Sequence, residues 1–585
     1  MLLGSSYYPE RWDKTDWEQD AKLMQNAGLT FIRTGEFAWS KFELSEGAFD
    51  FTWMDEALNV FAAYGIKVIL CTPTAAPPPW LTNKHPDILP VMDDATRFVP
   101  GERRHYCFNS PVYREYSRKI TEAMAKHYAA HPSILGWQID NELGGEEFIC
   151  HCDICRDAFQ HWLKERYKTA EELNRRWGGT FFSFEFNDFS EVNVPMGHNL
   201  KFFNPSFRKD YLLFCSDSMK SYLYEQRDTI KAYTSKNIPV TTNRFTLFWG
   251  ENWFDHIMDA QLDVVAFDNY DHEPALNAFH HDFYRSVKPD TPHWVLEQSA
   301  NDLGIWDDVQ DIRRQTIQSA QKGAELCCYF SWRQIYYGAE QDLNGVVNSD
   351  GEPGEAYEII RDTARWLKAN AHTLAPPKAE LGLGYSYGSS LSFHANNAFG
   401  HVHYIDEMYK TFYCAAFESD ISMDFVRDFD NLSDYKAIAL PMYIEQDSDP
   451  EALDKLEEYI KNGGILLLTG DFWLKTRDNH RIKGDQLRRI EEFLGIRRDL
   501  FLLTPPDKPA IAEMRGAKHE LRGFFNRFSV REDAGVTVLA KLSEPTHHAG
   551  VPALIERIIG TGRLLLFAGM PDKAFYKAAL ERIRG

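Results

Sequence analysis

The sequence predicts an α/β protein with a TIM (β/α)8 barrel, followed by a smaller α/β domain with an open, mostly parallel sheet. Over residues 1–375, short apolar runs alternate with longer helical patterns, as repeated βα units require. Eight such units can be counted, which is the number that closes a TIM barrel. The pattern breaks near residues 371–380 at two prolines and then resumes, so a second domain is expected over residues 376–585.

Each predicted barrel strand is bounded by helix, glycine or proline signals. The eight strands are Leu3–Tyr8, Thr30–Arg33, Val68–Cys71, Ile134–Ile139, Pro239–Asn243, Val264–Phe267, Trp294–Leu296 and Leu326–Phe330. The connection between the fourth and fifth strands is unusually long, and its aromatic-rich part should form an insertion near residues 145–205. In the second domain, a flavodoxin- or amidotransferase-like sheet is predicted from Leu381–Tyr387, Ala437–Pro441 and Gly464–Thr469.

The amino-acid composition and net charge of the chain exclude some classes of binding partner. The chain has 585 residues, of which 44% are hydrophobic, and this argues against disorder. Its 64 basic and 86 acidic residues give a formal charge of −22, which repels nucleic acid and anionic membranes. The first residues, MLLGSSYYPERW, lack the basic segment and apolar core of a secretory signal, and no stretch is apolar enough to span a membrane. A cytoplasmic protein with a small, neutral partner is therefore expected.

Polar residues follow nearly every predicted barrel strand, at the end where TIM barrels carry their catalytic groups. They are Tyr8 and Glu10, Arg33 and Glu36, Asn141 and Glu142, Asn243 and Arg244, Asp268 and Tyr270, Glu297 and Gln298, and Trp332 and Arg333. Glu142 and Glu297 stand out because each directly ends an apolar run, on opposite sides of the barrel mouth. Opposed carboxyl groups suit cleavage of a glycosidic bond, since one donates a proton while the other attacks. The alternative is that either glutamate only pairs with an arginine at the rim.

Several long, ordered segments of the chain resemble glycoside hydrolase family 42, the family of β-galactosidases with a catalytic TIM barrel. The matching segments are YYPERW (7–12), IRTGEFAWSKFE (32–43), TPTAAPPPWL (72–81), RRHYCFNSPVYRE (103–115), GWQIDNE (136–142), VTTN (240–243), DNY (268–270), LEQ (296–298) and FSWRQ with GAEQ (330–341). They span the first ~345 residues. The second domain is similar, more loosely, to the family's α/β oligomerisation domain, which implies a homotrimer.

The resemblance implies a retaining exo-glycosidase that acts on terminal non-reducing β-D-galactosides through a covalent glycosyl-enzyme. Glu142 is similar to the family's general acid/base and Glu297 to its nucleophile. Asn141 is then placed to bind the 2-hydroxyl of the sugar. Other positions that match the lining of the family's sugar pocket are Arg33, Tyr270, Trp306 and Glu340.

The cysteines match the four-cysteine zinc site that is found in many family members. The resemblance implies that Cys107 joins Cys150, Cys152 and Cys155 as ligands, and this spacing can close a tetrahedral Zn–S4 site. Such a zinc ion would be structural, because four thiolates leave no open position for water. The alternatives are four free thiols, substitution by His105 or His151, and metal-dependent hydrolysis at this cluster.

The chain also departs from the family pattern. After the eighth strand the family usually has Glu-x-Phe-His, but GAEQDLNG (338–345) has Asp342 and Leu343 at the last two of those positions. Leu143 replaces a common tyrosine, and EQSANDLGIW (297–306) lacks the usual proline-containing loop. These changes keep open an α-L-arabinopyranoside, a β-D-fucoside or another β-glycoside as substrate, or a non-catalytic sugar-binding homologue. The family's small C-terminal β domain is expected to be absent.

Overall fold

A computed structural model describes the chain except residues 146–148, 198–202, 246, 248–253, 302–303, 305–307, 397–402, 506 and 585. The chain forms two compact units. The first comprises Met1–Arg166, Asp188–His198 and Phe214–Pro376, and the second Tyr167–Asn187, Asn199–Leu213 and Pro377–Gly585. The long insertion after the fourth strand is thus divided between the units. Within the described ranges, every helix is too short or too polar to cross a bilayer.

The first unit contains a parallel barrel. Its strands are β1 (Leu2–Ser6), β2 (Phe31–Thr34), β3 (Lys67–Cys71), β4 (Ile134–Gln138), β5 (Val240–Thr241 with Asn243–Arg244), β6 (Ala266–Asn269), β7 (Trp294–Ser299) and β8 (Leu326–Phe330). Neighbouring strands pair in parallel, in the order β5-β4-β3-β2-β1-β8-β7-β6-β5. The first half of β5 pairs with β4 and the second half with β6, so β5 joins the two edges of the sheet. This architecture confirms the predicted TIM barrel.

Apolar side chains from five of the strands pack into one buried cluster, as expected for parallel strands covered on both faces. The cluster consists of Phe31, Ile69, Val264, Ala266, Trp294, Leu296, Leu326 and Cys328. The pairing register of β7 shifts between Val295 and Glu297. In a regular strand, successive side chains point to opposite faces, so Glu297 would point away from the face that Leu296 occupies. A β-bulge changes the direction of the side chain at this point. The irregularity in β7 therefore helps to bring Glu297 into the barrel mouth.

Two helices of the first unit show caps that the sequence explains. One begins at Pro111, where the Ser110 side chain accepts a hydrogen bond from the backbone N–H of Tyr113 at 3.3 Å. Another ends at Ala27 and is capped by Gly28, whose left-handed φ of 84° suits glycine. Helices of eight residues or more before residue 376 span Lys14–Ala27, Thr52–Ala63, Pro111–Tyr128, Asp153–Tyr167, Ala170–Trp177, Pro205–Lys231, Pro274–Val287, Asp308–Gln321 and Glu355–Asn370.

The second unit contains an eleven-stranded mixed sheet. Its parallel strands are Leu381–Gly384, Met423–Val426, Ala437–Leu440, Ile465–Thr469 and Gly562–Phe567. Its antiparallel strands are Ile496–Leu503, Ala510–Met514, Ala517–Val530, Val536–Glu544, Pro552–Ile559 and Gly569–Pro571. The main helices of this part are Tyr387–Ala395, Ala452–Lys461, Gly484–Leu494 and Lys573–Arg584.

The mixed sheet differs from the mostly parallel sheet that the sequence indicated. The parallel part agrees with the three predicted strands. From residue 496 onward, short turns join several of the strands, and a two-residue turn can only connect antiparallel neighbours. Arg515 and Gly516 form one such turn, with φ of 51° and 82°. The expectation of a mostly parallel sheet is therefore wrong for the pairing of these later strands.

Candidate active site

The loop that carries Glu142 is held in an unusual conformation at the end of β4. Asp140 and Glu142 have positive φ values of 56° and 46°, which are unfavourable for side chains other than glycine. The buried Asp140 carboxylate accepts hydrogen bonds from Thr74 Oγ1 at 2.6 Å, the Tyr106 hydroxyl at 2.9 Å and the Tyr222 hydroxyl at 3.1 Å. These contacts offset the strain of the turn. Asp140 therefore fixes the loop, and Glu142 is the carboxyl group that the loop presents.

Glu142 is almost fully buried and is bound by Arg104. The Arg104 guanidinium donates to Glu142 Oε2 at 2.6 Å and to the Glu142 carbonyl oxygen at 3.3 Å. Asn141 Nδ2 donates to the same carboxylate at 3.1 Å. The backbone N–H of Glu142 donates to Asn243 Oδ1 at 3.0 Å. Both the side chain and the backbone of Glu142 are thus fixed by neighbouring polar groups.

Glu297 lies across the barrel mouth from β4 and has its own set of partners. Arg33 contacts Glu297 Oε1 at 2.8 Å, and the Tyr270 hydroxyl donates to Oε2. Burial raises the pKa of Glu297 to about 7; Arg33 lowers this pKa, Glu142 raises it, and the Tyr270 hydrogen bond lowers it. The contacts from Arg33 and Tyr270 therefore favour the carboxylate that a nucleophile needs.

Arg33 connects the two sides of the site. Its guanidinium is fully buried and donates to Gln138 Oε1 at 2.6 Å and to Asn141 Oδ1 at 2.5 Å. It also contacts Glu36 at 3.0 Å and Glu297 at 2.8 Å. The rigid guanidinium fork thus fixes Asn141, next to Glu142, relative to Glu297.

The separation of the two glutamates distinguishes two classes of glycosidase. A carboxylate oxygen of Glu142, one of Glu297 and one of Asp268 lie within 4.8 Å of one another. Retaining enzymes place their two carboxyl groups about 5–5.5 Å apart, whereas inverting enzymes need about 6.5–9.5 Å to admit a water molecule. The arrangement suits direct attack by one carboxylate on the sugar.

The structure brings some of the predicted sugar-binding residues together and places another at the rim. Arg33 and Tyr270 contact Glu297, and Asn141 contacts Glu142. Glu340 instead lines an open cavity of about 660 Å³, whose walls include Arg104. Its carboxylate lies 3.6 Å from the Arg103 guanidinium. Trp306 lies outside the described residues.

Leu343, which replaces the histidine of the family pattern, lies on an apolar wall. It packs with Phe37 and Tyr270 against the buried cluster of Tyr8, Phe330 and Ile335. The two polar candidates beside it are differently placed. Asp342 is exposed, and Asn344 Oδ1 accepts a hydrogen bond from Gln334 Nε2 at 3.2 Å. The surroundings of Leu343 next to Tyr270 are therefore apolar.

The site also contains four polar residues to which the sequence analysis assigned no catalytic or sugar-binding role. They are Arg104, Gln138, Asn243 and Asp268. Asn243 and Asp268 follow predicted strands, so their position was a usable signal. Arg104 lies in the long connection after β3, where no periodicity indicates which side chain turns inward. By contrast, the strand-end Arg244 is bound by Asp259 at 2.8 Å, both fully buried, and supports the fold.

The four predicted metal ligands come together in the first unit. Their sulfur atoms all lie within 4.8 Å of one another, and Cys107 Sγ lies 3.4 Å from Cys155 Sγ and 3.8 Å from Cys152 Sγ. Zn–S bonds of about 2.3 Å in a tetrahedron put the sulfur atoms ~3.8 Å apart. Asn109 Nδ2 also donates to Cys155 Sγ, as an outer-shell partner would. The cluster fits a closed structural metal site that includes Cys150.

Comparisons with known proteins agree with this geometry. The β-galactosidase model of glycoside hydrolase family 42 matches residues 6–369, and the β-galactosidase trimerisation domain matches residues 379–585. The β-galactosidase BgaA of Clostridium cellulovorans is 33% identical over 518 residues, which cover 85% of this chain and 76% of that protein.

Solved structures of β-galactosidases are also similar to this protein, over the whole length of the chain. The β-galactosidase of the Antarctic haloarchaeon Halorubrum lacusprofundi has a TM-score of 0.92 and 29% identity, covering 100% of this chain and 89% of that one. The β-galactosidase of the psychrophilic Marinomonas ef1 has a TM-score of 0.90 and 28% identity, covering 100% and 91%. The chain therefore belongs to glycoside hydrolase family 42 and is a glycoside hydrolase.

Proposed function

We propose that this enzyme hydrolyses terminal non-reducing β-D-galactosides with retention of configuration. The observation that carries the proposal is the close pair of Glu142 and Glu297, which approach from opposite sides of the barrel mouth with carboxylate oxygens no more than 4.8 Å apart. The choice of galactose as the sugar rests on family membership and on the activity named for the relatives. We also infer a homotrimer from the match of residues 379–585 to the trimerisation domain.

In the first step, the ionised carboxylate of Glu297 attacks the anomeric carbon of the galactoside. Glu142 gives its proton to the glycosidic oxygen as the C–O bond breaks, and the alcohol leaves. The sugar is then bound to Glu297 as an ester. Arg33 and Tyr270 hold the attacking oxygen atoms in place, and Asn141 is positioned for the 2-hydroxyl.

In the second step, a water molecule replaces the alcohol. The Glu142 carboxylate takes a proton from this water, whose oxygen attacks the anomeric carbon and displaces Glu297. Two inversions give net retention. Glu142 loses its proton in the first step and regains one from water in the second, while Glu297 changes only between carboxylate and ester, so both groups return to their starting states.

The glycone preference can be tested with matched aryl glycosides. We expect kcat/KM to be highest for the β-D-galactoside and at least ~10-fold lower for the β-D-glucoside, whose 4-hydroxyl points the other way. The β-D-fucoside and α-L-arabinopyranoside lack the 6-hydroxyl and share the galactose ring geometry. A preference for either of these would mean that the apolar wall at Leu343 has changed the substrate. Equal rates for galactoside and glucoside would contradict the proposal.

We further propose that the four-cysteine site binds one structural Zn²⁺ per chain. The sulfur spacings support this assignment, and a four-thiolate shell suits zinc. The site has a direct connection to the active site within the first unit. Cys107 follows Tyr106, which binds Asp140, and Arg104, which binds Glu142.

Removal of the metal should therefore lower stability first. In Cys107→Ser, or after chelation, we expect Tm to fall by at least ~5 °C, because the metal no longer ties the two cysteine segments together. Native mass spectrometry measures the bound zinc and calorimetry the Tm. Cys414→Ser, which removes a buried cysteine of the second unit, should keep the zinc. A metal-free protein with the wild-type Tm would count against a structural role, and loss of hydrolysis with an unchanged Tm would favour a catalytic metal.

A further inference from the structure

Asp268 is a buried carboxyl group that the two-step reaction does not use. It lies on β6, and its side chain is completely enclosed. One of its carboxylate oxygens lies within 4.8 Å of an oxygen of Glu142 and of an oxygen of Glu297. A third carboxyl group at this distance affects the pKa of both glutamates if it is charged. The role of Asp268 therefore depends on its protonation state.

The arginines that face the three carboxyl groups contact the glutamates. Arg33 lies 2.8 Å from Glu297 and Arg104 lies 2.6 Å from Glu142. Asp268 makes no ion pair within the part of the chain that the structure describes, and its Oδ1 has no hydrogen-bond partner there. Of the three carboxyl groups, Asp268 therefore loses the least favourable interaction energy when it is protonated, because no described residue forms an ion pair with its charged form.

The surroundings of Asp268 favour its neutral form. Burial raises the pKa of Asp268 well above its ordinary value, and the two glutamates raise it further. Arg33 and the Asn243 amide act in the opposite direction. Tyr284, on the helix that packs against β6, also faces Asp268, and its own raised pKa keeps it uncharged. Burial, the two neighbouring carboxylates and the lack of an ion pair with any described residue therefore all favour the neutral form of Asp268.

Asp268 accepts a hydrogen bond from Asn243. The side-chain amide of Asn243 also forms hydrogen bonds with both glutamates. Asn243 Oδ1 accepts from the backbone N–H of Glu142 at 3.0 Å, and Nδ2 lies 3.3 Å from Glu297 Oε1. Nδ2 also lies 3.0 Å from Asn141 Oδ1 and only 2.7 Å from Asp268 Oδ2. An amide has two N–H groups. By accepting one of them, Asp268 fixes the orientation of the amide and directs the other toward Asn141 and Glu297.

We propose that Asp268 is a positioning residue of the catalytic centre, which in its neutral form orients the Asn243 amide between Glu142 and Glu297. The inference rests on the proposed roles of the two glutamates. A neutral carboxyl group offers Asn243 a carbonyl oxygen without placing another negative charge beside the attacking carboxylate. It thereby leaves the charge of the site on Glu297, where the reaction needs it.

The test compares Asp268→Asn with Asp268→Ala. Asparagine keeps a carbonyl acceptor and has no charge, whereas alanine removes the acceptor. With 4-nitrophenyl β-D-galactoside near pH 7, we expect Asp268→Asn to keep kcat within about threefold of wild type and Asp268→Ala to lose at least ~30-fold in kcat with little change in KM. If folded Asp268→Asn is as slow as Asp268→Ala, the charge is required and the proposal is wrong. It is equally wrong if Asp268→Ala has the wild-type kcat.

Thermal unfolding of Asp268→Asn provides a second readout that needs no substrate. The folded wild type holds a proton on Asp268 that the unfolded chain releases above about pH 4, so wild-type stability should fall relative to Asp268→Asn between pH 5 and pH 8. We expect the Tm difference to grow over this range. A constant difference would show that Asp268 is ionised throughout, against the proposal. If wild type hydrolyses no galactoside, the proposed function fails, while this measurement still decides the state of Asp268.

Discussion

Glu297→Gly should lose nearly all activity on aryl β-D-galactosides, with kcat falling by at least ~10³-fold. Glu297 is the carboxylate that Arg33 and Tyr270 hold in place, and glycine leaves no atom to attack the anomeric carbon. Azide fits the space that the side chain vacates and can attack from the same face. We expect azide to restore turnover and to give the α-galactosyl azide, identified by NMR.

The control for this variant is Glu352→Gly, which removes an exposed glutamate of the same unit. It should keep wild-type kinetics. Zinc content and Tm of Glu297→Gly should show that the protein is folded. Unchanged activity in folded Glu297→Gly would show that another group is the nucleophile.

Glu142→Ala should have an effect that depends on the leaving group. Hydrolysis of alkyl galactosides or lactose needs a proton on the departing oxygen, and we expect kcat/KM for these to fall by ~10²–10⁴-fold. 2,4-Dinitrophenol leaves without a proton, so kcat/KM for its galactoside should fall much less. Azide should accelerate release of the sugar from Glu297 and give the β-galactosyl azide.

Two outcomes would contradict the role of Glu142. An equal loss on good and poor leaving groups would mean that Glu142 supports the structure of the site and does not donate the proton. The α-azide from Glu142→Ala, with the β-azide from Glu297→Gly, would mean that the two roles are reversed. Arg104→Lys can be compared with Glu142→Ala in the same assays. It keeps a positive charge near Glu142 but loses the paired guanidinium hydrogen bonds to the carboxylate and the carbonyl oxygen of Glu142.

The barrel and its two principal glutamates could be read from the sequence because both depend on local patterns. The apolar runs of β1–β8 are short and well bounded; Glu142 follows β4, and Glu297 lies near the end of β7. Arg104 could not be found in this way. It lies in a connection without periodicity, and its contact with Glu142 depends on how that loop folds over the barrel.

Other features depend on relations between distant segments. The shift of register in β7 that turns Glu297 inward appears only when β6 and β8 are in place. Asp268 appeared among the strand-end residues, but its importance follows from two glutamates and an amide that come from three other strands or loops. The antiparallel pairing in the second sheet was not predicted, for a different reason. Its strands alternate weakly between buried and exposed residues, so the apolar runs that marked the parallel strands are lacking.

The most direct test of the mechanism is to trap the glycosyl-enzyme. A 2-deoxy-2-fluoro-β-D-galactosyl fluoride slows both steps but provides a good leaving group, so the covalent intermediate should accumulate. Digestion and mass spectrometry should then locate one fluorogalactosyl group per active site on the peptide that contains Glu297. A label on Glu142 or Asp268, or no label together with an α-configured first product in the NMR spectrum of an ordinary substrate, would contradict the account.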